Sequence, residues 1–281
     1  MQFVQQSSPS TIACVFDVDG ASAALDAPPT LTVTNSDGVD LIADATATEA
    51  EGAYTYLLLP SHTAALDLLT ATWVGEHDGN DVEITTYVEV VGQRLFSVDQ
   101  ARRREALQDV GEFPDVEMRI AHDLTLEALQ DACGVSFVPR RSRIRIDGSG
   151  QTGLILPKPL AREVTWIAIN GTALTVEELE EVKTYDSGVL RRSSVWPCGL
   201  QNIEVDFVHG HSSPPARIAQ AALRLAEHWL IETSIPDRAT VLNTDQGSFA
   251  LVTAGVRGAE FDIPEVNATV RAYAWKELGI G

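Results

Sequence analysis

Residues 214–233 read PPARIAQAALRLAEHWLIET and organise the rest of the chain. The stretch predicts an α-helix with Ser213 as its N-cap and Pro214 at the first helical position. Pro236 prevents its continuation. Polar residues recur at spacings of three and four and form one narrow stripe: Arg217, Gln220, Arg224, Glu227 and His228. A helix that is apolar over most of its circumference needs partners on most sides, so we expect a central core helix or one wedged against a neighbouring copy.

The length and composition indicate a globular protein of more than one domain. With 281 residues, the chain is long enough for two domains and a sizeable core. No apolar run reaches membrane-spanning length, and no basic region precedes an apolar one at the N-terminus, so neither a transmembrane segment nor a signal peptide is expected. The three cysteines are far apart, which excludes a fully paired disulfide framework and fits a reducing cytoplasm.

The net charge of −20 is unevenly distributed along the chain. Residues 1–93 hold 14 acids and no Lys or Arg, whereas residues 94–281 hold 26 acids and all 20 bases. This shift predicts a domain boundary near Arg94. Strong acidity argues against a nucleic-acid binder, because phosphate affinity comes from Lys and Arg. It is compatible with a surface that DNA passes without sticking, or with a charge that only maintains solubility.

Residues 1–93 predict an all-β domain. Short apolar strands alternate with turn signals such as Asp37-Gly38 and Asp78-Gly79, and no segment has helical periodicity. This spacing favours an Ig-like β-sandwich with Tyr54 and Trp73 in its core. An exposed row of Tyr54, Tyr56 and Trp73 would instead favour a carbohydrate- or surface-binding module.

Residues 94–281 predict a helical domain with a β-rich insertion, so the fold class of the whole chain is α+β. Helices are expected at about 97–110, with a Ser97–Gln100 capping box, at 114–133, at 214–233 and at 265–278. In the second helix, Val116, Ile120, Leu124 and Ala128 are expected to form the buried face. The insertion covers about residues 135–210, and residues 234–263 predict an extended loop or hairpin that is functional or ordered by a partner.

Two clusters in the insertion are candidate sites. A basic cluster could meet an acidic partner or phosphate, or could be a solvated strand edge: Arg140, Arg141, Arg143 and Arg145. His209-x-His211 has the spacing of a metal-binding pair, but no third ligand is placed by the sequence. No nucleotide-binding, hydrolase or metalloprotease motif is present, so we expect no catalytic residue, no metal and no cofactor.

The order of elements in residues 94–281 resembles the head-to-tail connector, or adaptor, proteins of long-tailed phages. The resemblance rests on the early helix pair, on Val205-Asp-Phe-Val-His-Gly210 followed by Pro214-Pro215 and the Ala-Ala-Leu-Arg-Leu-Ala helix, and on two late stretches. Those stretches, Gly247-Ser-Phe-Ala-Leu-Val-Thr and Phe261-Asp-Ile-Pro-Glu-Val266, look like the actinobacteriophage branch. The N-terminal 93 residues are not part of the family pattern and look like an added Ig-like decoration.

This resemblance implies a structural protein of the virion neck, made in the host cytoplasm. It implies a ring, usually of about twelve copies, that joins the portal to the tail-side neck or stopper protein and through which genomic DNA passes without specific binding. No membrane partner is implied. The residues expected at the subunit or portal interface are Arg217, Arg224, His228, Phe249, Phe261, Val266, Tyr273, Trp275 and Leu278. A carbohydrate- or surface-binding module is the alternative function, and an enzyme is a third.

Overall fold

The computed structural model describes residues 1–18, 21–50, 52–231, 241–244, 247–250 and 261–275. The fold is mixed α/β, as expected in outline. The chain folds into two compact units. The first joins Met1–Arg94 with Val138–Gly210, and the second joins Leu95–Phe137 with His211–Gly281. We call these the β unit and the helical unit.

The described helices and strands are as follows. The helices are α1 Val98–Arg102, α2 Asp115–Cys133, α3 Val176–Glu180, α4 Ala216–Leu230 and α5 Pro264–Tyr273. The strands are β1 Gln2–Gln5, β2 Ser10–Cys14, β3 Asp17–Val18, β4 Ala21–Ser22, β5 Thr30–Thr34, β6 Asp40–Thr46, β7 Thr48–Ala50, β8 Ala53–Leu58, β9 Asp67–His77, β10 Asn80–Val91, β11 Arg140–Gly148, β12 Gly153–Ile155, β13 Ala161–Ile169, β14 Thr172–Ala173, β15 Lys183–Thr184, β16 Val189–Arg191, β17 Gly199–His209, β18 Val241–Thr244 and β19 Gly247–Ala250. None of the described helices is long and apolar enough to cross a membrane.

Two sheets of the β unit surround one apolar core within residues 1–94. The five-stranded sheet has the order β1-β10-β9-β5-β6, and the three-stranded sheet has the order β2-β8-β7. Strand β9 alternates buried and exposed residues, which is the pattern of a half-buried strand. Trp73 lies fully buried in the core, and its indole N–H donates to Thr86 Oγ1 over 3.0 Å.

The alternative prediction of an exposed row formed by Tyr54, Tyr56 and Trp73 is wrong. Tyr54 and Trp73 are both buried in the shared core, and the Tyr54 hydroxyl accepts a hydrogen bond from the backbone N–H of Leu25 over 2.8 Å. Large aromatic side chains stabilise a core most when their apolar area is removed from water and their polar atom finds a partner. The Ig-like assignment of these two sheets stays a prediction.

The remaining part of the β unit is built around strand β17, which lies between β11 and β13 in a four-stranded sheet ending in β14. Ile203, Val205 and Phe207 are buried on one face of β17, as their alternation predicts. The dipeptide Asn170-Gly171, a typical hairpin-turn sequence, joins β13 to β14, and both of its residues have positive φ. The sequence therefore indicates the buried face of β17 and this turn, but not which strands pair with β17.

The second helix has its predicted bounds but not its predicted face. Gly134 ends α2 in the left-handed conformation, which glycine adopts without strain. However, Val116, Ile120 and Leu124 are 42%, 55% and 52% exposed, so the predicted buried face lies at the surface. The opposite face, which includes Thr125 and His122, is buried instead. Periodicity missed it because these polar side chains satisfy their hydrogen bonds internally: Thr125 donates to the carbonyl of Ala121, and His122 accepts from the backbone N–H of Leu95.

Other helix predictions need correction at their ends. The Ser97–Gln100 capping box is confirmed, but α1 has only five residues and is followed by a 3-10 turn at Glu105–Leu107, instead of one helix over 97–110. Helix α4 begins at Ala216 with Pro215 at the N-cap and without a side-chain cap, so Ser213 does not have its predicted role. Within the predicted loop, Val241–Thr244 and Gly247–Ala250 form the antiparallel pair β18–β19, and Pro236 lies outside the described residues.

Candidate functional site

Helix α4 is the centre of the helical unit, as its composition predicts. Its buried residues, which include Ile218, Ala222 and Leu225, pack in the unit that also contains α2 and α5. Arg217, Gln220 and Arg224 are exposed, which confirms the polar stripe. Trp229, an apolar residue outside that stripe, is nevertheless 42% exposed. The exposed side of α4 is therefore mainly cationic.

A cleft of about 460 Å³ lies along this side of α4, between α4 and α5. We call it the α4–α5 groove. Its floor contains small or buried residues such as Ala221, Val266 and Thr269, and small side chains keep the space between the helices open. Its lining residues are Arg104, Arg217, Gln220, Ala221, Arg224, Glu265, Val266, Ala268 and Thr269.

The groove carries more positive than negative charge. Arg104 lies 3.7 Å from Glu227, and Arg224 lies 3.1 Å from Glu265. Arg217 is exposed and has no ion-pair partner among the described residues. Its lining thus contains three guanidinium groups and one carboxylate, although the chain as a whole is strongly acidic. This arrangement can bind carboxylates through charge-assisted hydrogen bonds.

Sequence reasoning found two of these arginines and missed the rest of the groove. Arg104, Ala268 and Thr269 lie on other segments, and helical periodicity does not say which segments meet. The small residues Ala268 and Thr269 on the last helix do not by themselves indicate a groove, because small residues are common on helix surfaces.

The other predicted interface residues have mixed positions. Val266 is buried on the floor of the α4–α5 groove, so little of its side chain can contact a partner. Tyr273 meets the Phe137 ring edge to face, with centroids 6.1 Å apart, and the Trp275 backbone N–H donates to the Cys133 carbonyl over 2.7 Å. Much of the apolar surface of α5 therefore packs within the chain. His228 and Phe261 are half-buried, whereas the side chain of Phe249 and all of Leu278 lie outside what the structure describes.

The basic cluster of β11 is paired within the β unit. Arg141 donates to both carboxylate oxygens of Asp206, over 2.8 and 2.5 Å, and lies 3.2 Å from Asp67. Hydrogen bonding to Asp206 raises the pKa of the Arg141 guanidinium above its usual range. The pairs of the other three arginines are Arg140 with Glu89, Arg143 with Asp37, and Arg145 with Glu204. Acidic partners for this cluster are thus present in the same chain.

The predicted histidine pair is not arranged as a metal site. His209 is buried on β17, and its Nε2 lies 3.0 Å from Ser142 Oγ. Burial lowers the pKa of His209 to about 4, with smaller contributions from Arg140 and Lys158. His211 belongs to the helical unit, where its ring stacks on Phe137. Among the described residues, no group of three or more His, Cys, Asp or Glu side chains is placed to hold a metal ion.

Comparisons with known proteins identify one family. The model of the head completion protein family (HCP) matches residues 94–241, which is more than half of the chain. Among solved structures, the chain is similar to a chain from the neck of an empty GTA particle computed with C6 symmetry. That match has 15% sequence identity and a TM-score of 0.36, and it covers 43% of this chain and 72% of the other. No curated protein matches the chain.

Proposed function

Because the chain belongs to the head completion protein family and is a structural protein of the virion neck, we propose that it is a ring-forming head-to-tail adaptor. In this role it joins the portal to the tail-side neck protein and forms part of the channel through which DNA passes. The family match over residues 94–241 carries the proposal. The protein acts by assembly and not by catalysis.

Exposed surfaces of the helical unit support assembly into a ring. A closed ring with one kind of contact needs two different, complementary faces on every subunit. The apolar stripe of Val116, Ile120 and Leu124 on α2 is at least 42% exposed, and the α4–α5 groove presents unpaired cationic charge. Exposed apolar residues aligned on one helix face, and a cationic groove, are the kinds of surface that a neighbouring subunit can cover. We propose about twelve copies per ring, with the portal on one side of it.

The charge of the chain supports a channel that does not hold DNA. The net charge is −20, and an acidic or neutral lumen avoids the counterion release that makes basic channels bind DNA. The four arginines of β11 have acidic partners within the β unit, so they are poor candidates for a phosphate site.

We also propose that residues 1–93 are an Ig-like addition to the connector. The two sheets that share the Trp73 core support this assignment. Glu89 and Asp67 pair with Arg140 and Arg141, which lie outside this segment. Limited proteolysis near residues 92–97 should therefore release a fragment less stable than the same residues in the intact chain, because two buried carboxylates lose their partners.

Genetic removal followed by biochemical complementation tests the adaptor role. Lysates made without this chain should contain heads and tails that remain separate. Addition of the purified full-length protein to such a lysate should restore their joining. Cryo-electron microscopy of the restored particles should show this chain as a ring between portal and tail. Normal tailed particles in the absence of the chain would contradict the proposal.

A further inference from the structure

The α4–α5 groove has a chemistry that limits what can occupy it. Arg217 is exposed without an ion-pair partner in the described part of the chain, and the partners of Arg104 and Arg224 are single carboxylates at 3.7 and 3.1 Å. A guanidinium group has five N–H donors, and one carboxylate uses at most two of them in parallel hydrogen bonds. Each of these three arginines can therefore bind a further carboxylate. The groove is therefore suited to a narrow element with several carboxylates.

The hairpin β9–β10 in the β unit has the complementary chemistry. Glu76 and Asp81 lie directly opposite each other, and Glu83 follows on the same face of β10 as Asp81. All three are exposed, and in the described residues none has an ion-pair partner. Asp78 at the turn is also exposed, with His77 as its neighbour at 3.8 Å. Carboxylates at this density repel one another and are stabilised when a cationic surface covers them.

The hairpin also extends beyond the strands beside it. Strand β5 pairs with β9 only as far as Val74, and β1 pairs with β10 only from Val88 onward. The outer edge of β10 between Asn80 and Tyr87 consequently has no partner strand in the part of the chain that the structure describes. On the β9 side, His77 Nδ1 lies 2.8 Å from the Ala24 carbonyl oxygen, and the Asp26 backbone N–H donates to the Glu76 carbonyl over 2.8 Å. That side of the tip is therefore covered, and the β10 edge is the part that can face a groove between two helices.

We propose that the α4–α5 groove of one subunit binds the acidic β9–β10 hairpin of the next copy of the same chain. The inference rests on the proposed ring, for which it names the two complementary faces. The distribution of charge favours this occupant: residues 1–93 contain 14 acids and no Lys or Arg, so every copy carries an acidic surface that matches a neighbour's arginines. The contact is heterologous, because groove and hairpin are different surfaces, and it can close into a ring.

Charge reversal on both faces tests the contact in the full-length protein. The groove variant is Arg217→Glu with Arg224→Glu, and the hairpin variant is Asp81→Lys with Glu83→Lys. Each places like charges across the contact, and we expect each alone to reduce the ring population at least tenfold, as measured by native mass spectrometry. The matched control, Arg103→Glu with Arg191→Glu, changes the net charge by the same amount at exposed positions outside the groove and should leave rings unchanged.

Mixing the two reversed variants separates a contact between copies from one within a copy. In a mixed ring, each reversed groove meets a reversed hairpin, and each original groove meets an original hairpin. Rings should therefore return in the mixture, and also when all four substitutions are combined in one chain. Rings of the wild type should weaken between 0.1 and 1 M salt, because the Debye length falls from about 10 Å to about 3 Å.

Several outcomes would overturn the inference. These are a wild type that stays monomeric at every salt concentration, reversed variants that still form rings, or a mixture that stays dissociated while circular dichroism shows both variants folded. If a variant does not fold, the milder pair Arg217→Gln and Arg224→Gln must still weaken the rings. If the groove variant forms normal rings but no longer binds purified portal, the occupant is an acidic segment of the portal and the inference is wrong. Head-to-tail joining by the wild type tests the adaptor role separately, because it does not depend on which surfaces meet.

Discussion

Replacement of Asp206 by Ala should destabilise the β unit by about 3 kcal/mol. The Asp206 side chain is only 2% exposed and accepts two hydrogen bonds from Arg141. Breaking a buried ion pair on one side typically costs about 3–5 kcal/mol, because the remaining charge is left without compensation. Arg141 keeps Asp67 at 3.2 Å and is 21% exposed, so we expect a value at the lower end of this range.

Glu204 provides the matched comparison on the same strand. It pairs with Arg145 over 3.0 Å, but the Glu204 side chain is 24% exposed and the Arg145 side chain is 67% exposed. Exposed pairs contribute about 1 kcal/mol or less, so Glu204→Ala should have a small effect. Urea unfolding followed by intrinsic fluorescence measures both losses. Equal losses for Asp206→Ala and Glu204→Ala would refute the reasoning, because burial would then not determine the cost.

A triple replacement distinguishes the loss of the ion pairs from the loss of packing. Asp67 also pairs with Arg141 and is buried, so its charge must be removed together with the other two. Arg141→Met combined with Asp206→Leu and Asp67→Asn removes all three charges. Such replacements of buried ion pairs are often neutral or stabilising. The triple variant should therefore be more stable than Asp206→Ala alone. A loss in the triple variant as large as in the single one would mean that the network acts through its hydrogen-bond geometry.

Three further predictions concern the core, a close backbone approach and pH. Leu225→Ala should reduce the free energy of unfolding by about 3–5 kcal/mol because Leu225 is buried in α4. Arg224→Ala should reduce it by less than about 1 kcal/mol because Arg224 is exposed. Equal effects would mean that the buried face is misassigned. Gly148→Ala should destabilise the protein by more than about 3 kcal/mol because the new Cβ would lie 1.7 Å from a backbone carbonyl oxygen. The control, Gly153→Ala, should hardly change the melting temperature because the nearest atom to its new Cβ is 4.0 Å away. Similar melting temperatures for the two variants would contradict the prediction. Burial lowers the pKa of His209 from 6.5 to about 4, so the unfolded chain binds a proton at higher pH than the folded chain does. The free energy of unfolding should therefore decrease by up to about 3 kcal/mol as pH drops from 6.5 to 4. When the free energy of unfolding from urea titrations is plotted against pH, the slope in this range should be shallower for His209→Gln than for the wild type, and an equal slope would refute the prediction.

Local patterns predict an element well when its stability depends on neighbours in the chain. The capping box at Ser97, the glycine that ends α2 at Gly134, and the Asn170-Gly171 turn all involve contacts within a few residues. The alternation of apolar and polar residues along β17 similarly indicates which face of the strand is buried. These features need no information on distant segments, since backbone geometry and side-chain periodicity are sufficient.

The buried face of α2 shows where such patterns fail. Val116, Ile120 and Leu124 satisfy the helical period but are exposed, because the opposite face contacts the rest of the unit. His122 and Thr125 are buried because their hydrogen-bond partners are present there. Periodicity counts apolar residues and cannot recognise a polar residue whose hydrogen bonds are satisfied in the core.

The amino-acid sequence alone indicates the positions of α2 and α4, the central role of the helix around Leu225, and the separation of a strongly acidic, β-rich first third from the rest. It also carries the resemblance that led to the family. Only the tertiary structure decides which segments meet: that Arg141 pairs with Asp206, and that Arg104 joins Arg217 in the α4–α5 groove. The physical reason is that these contacts join residues far apart in the chain. Their energies depend on burial and distance, which exist only after the helices and strands have packed.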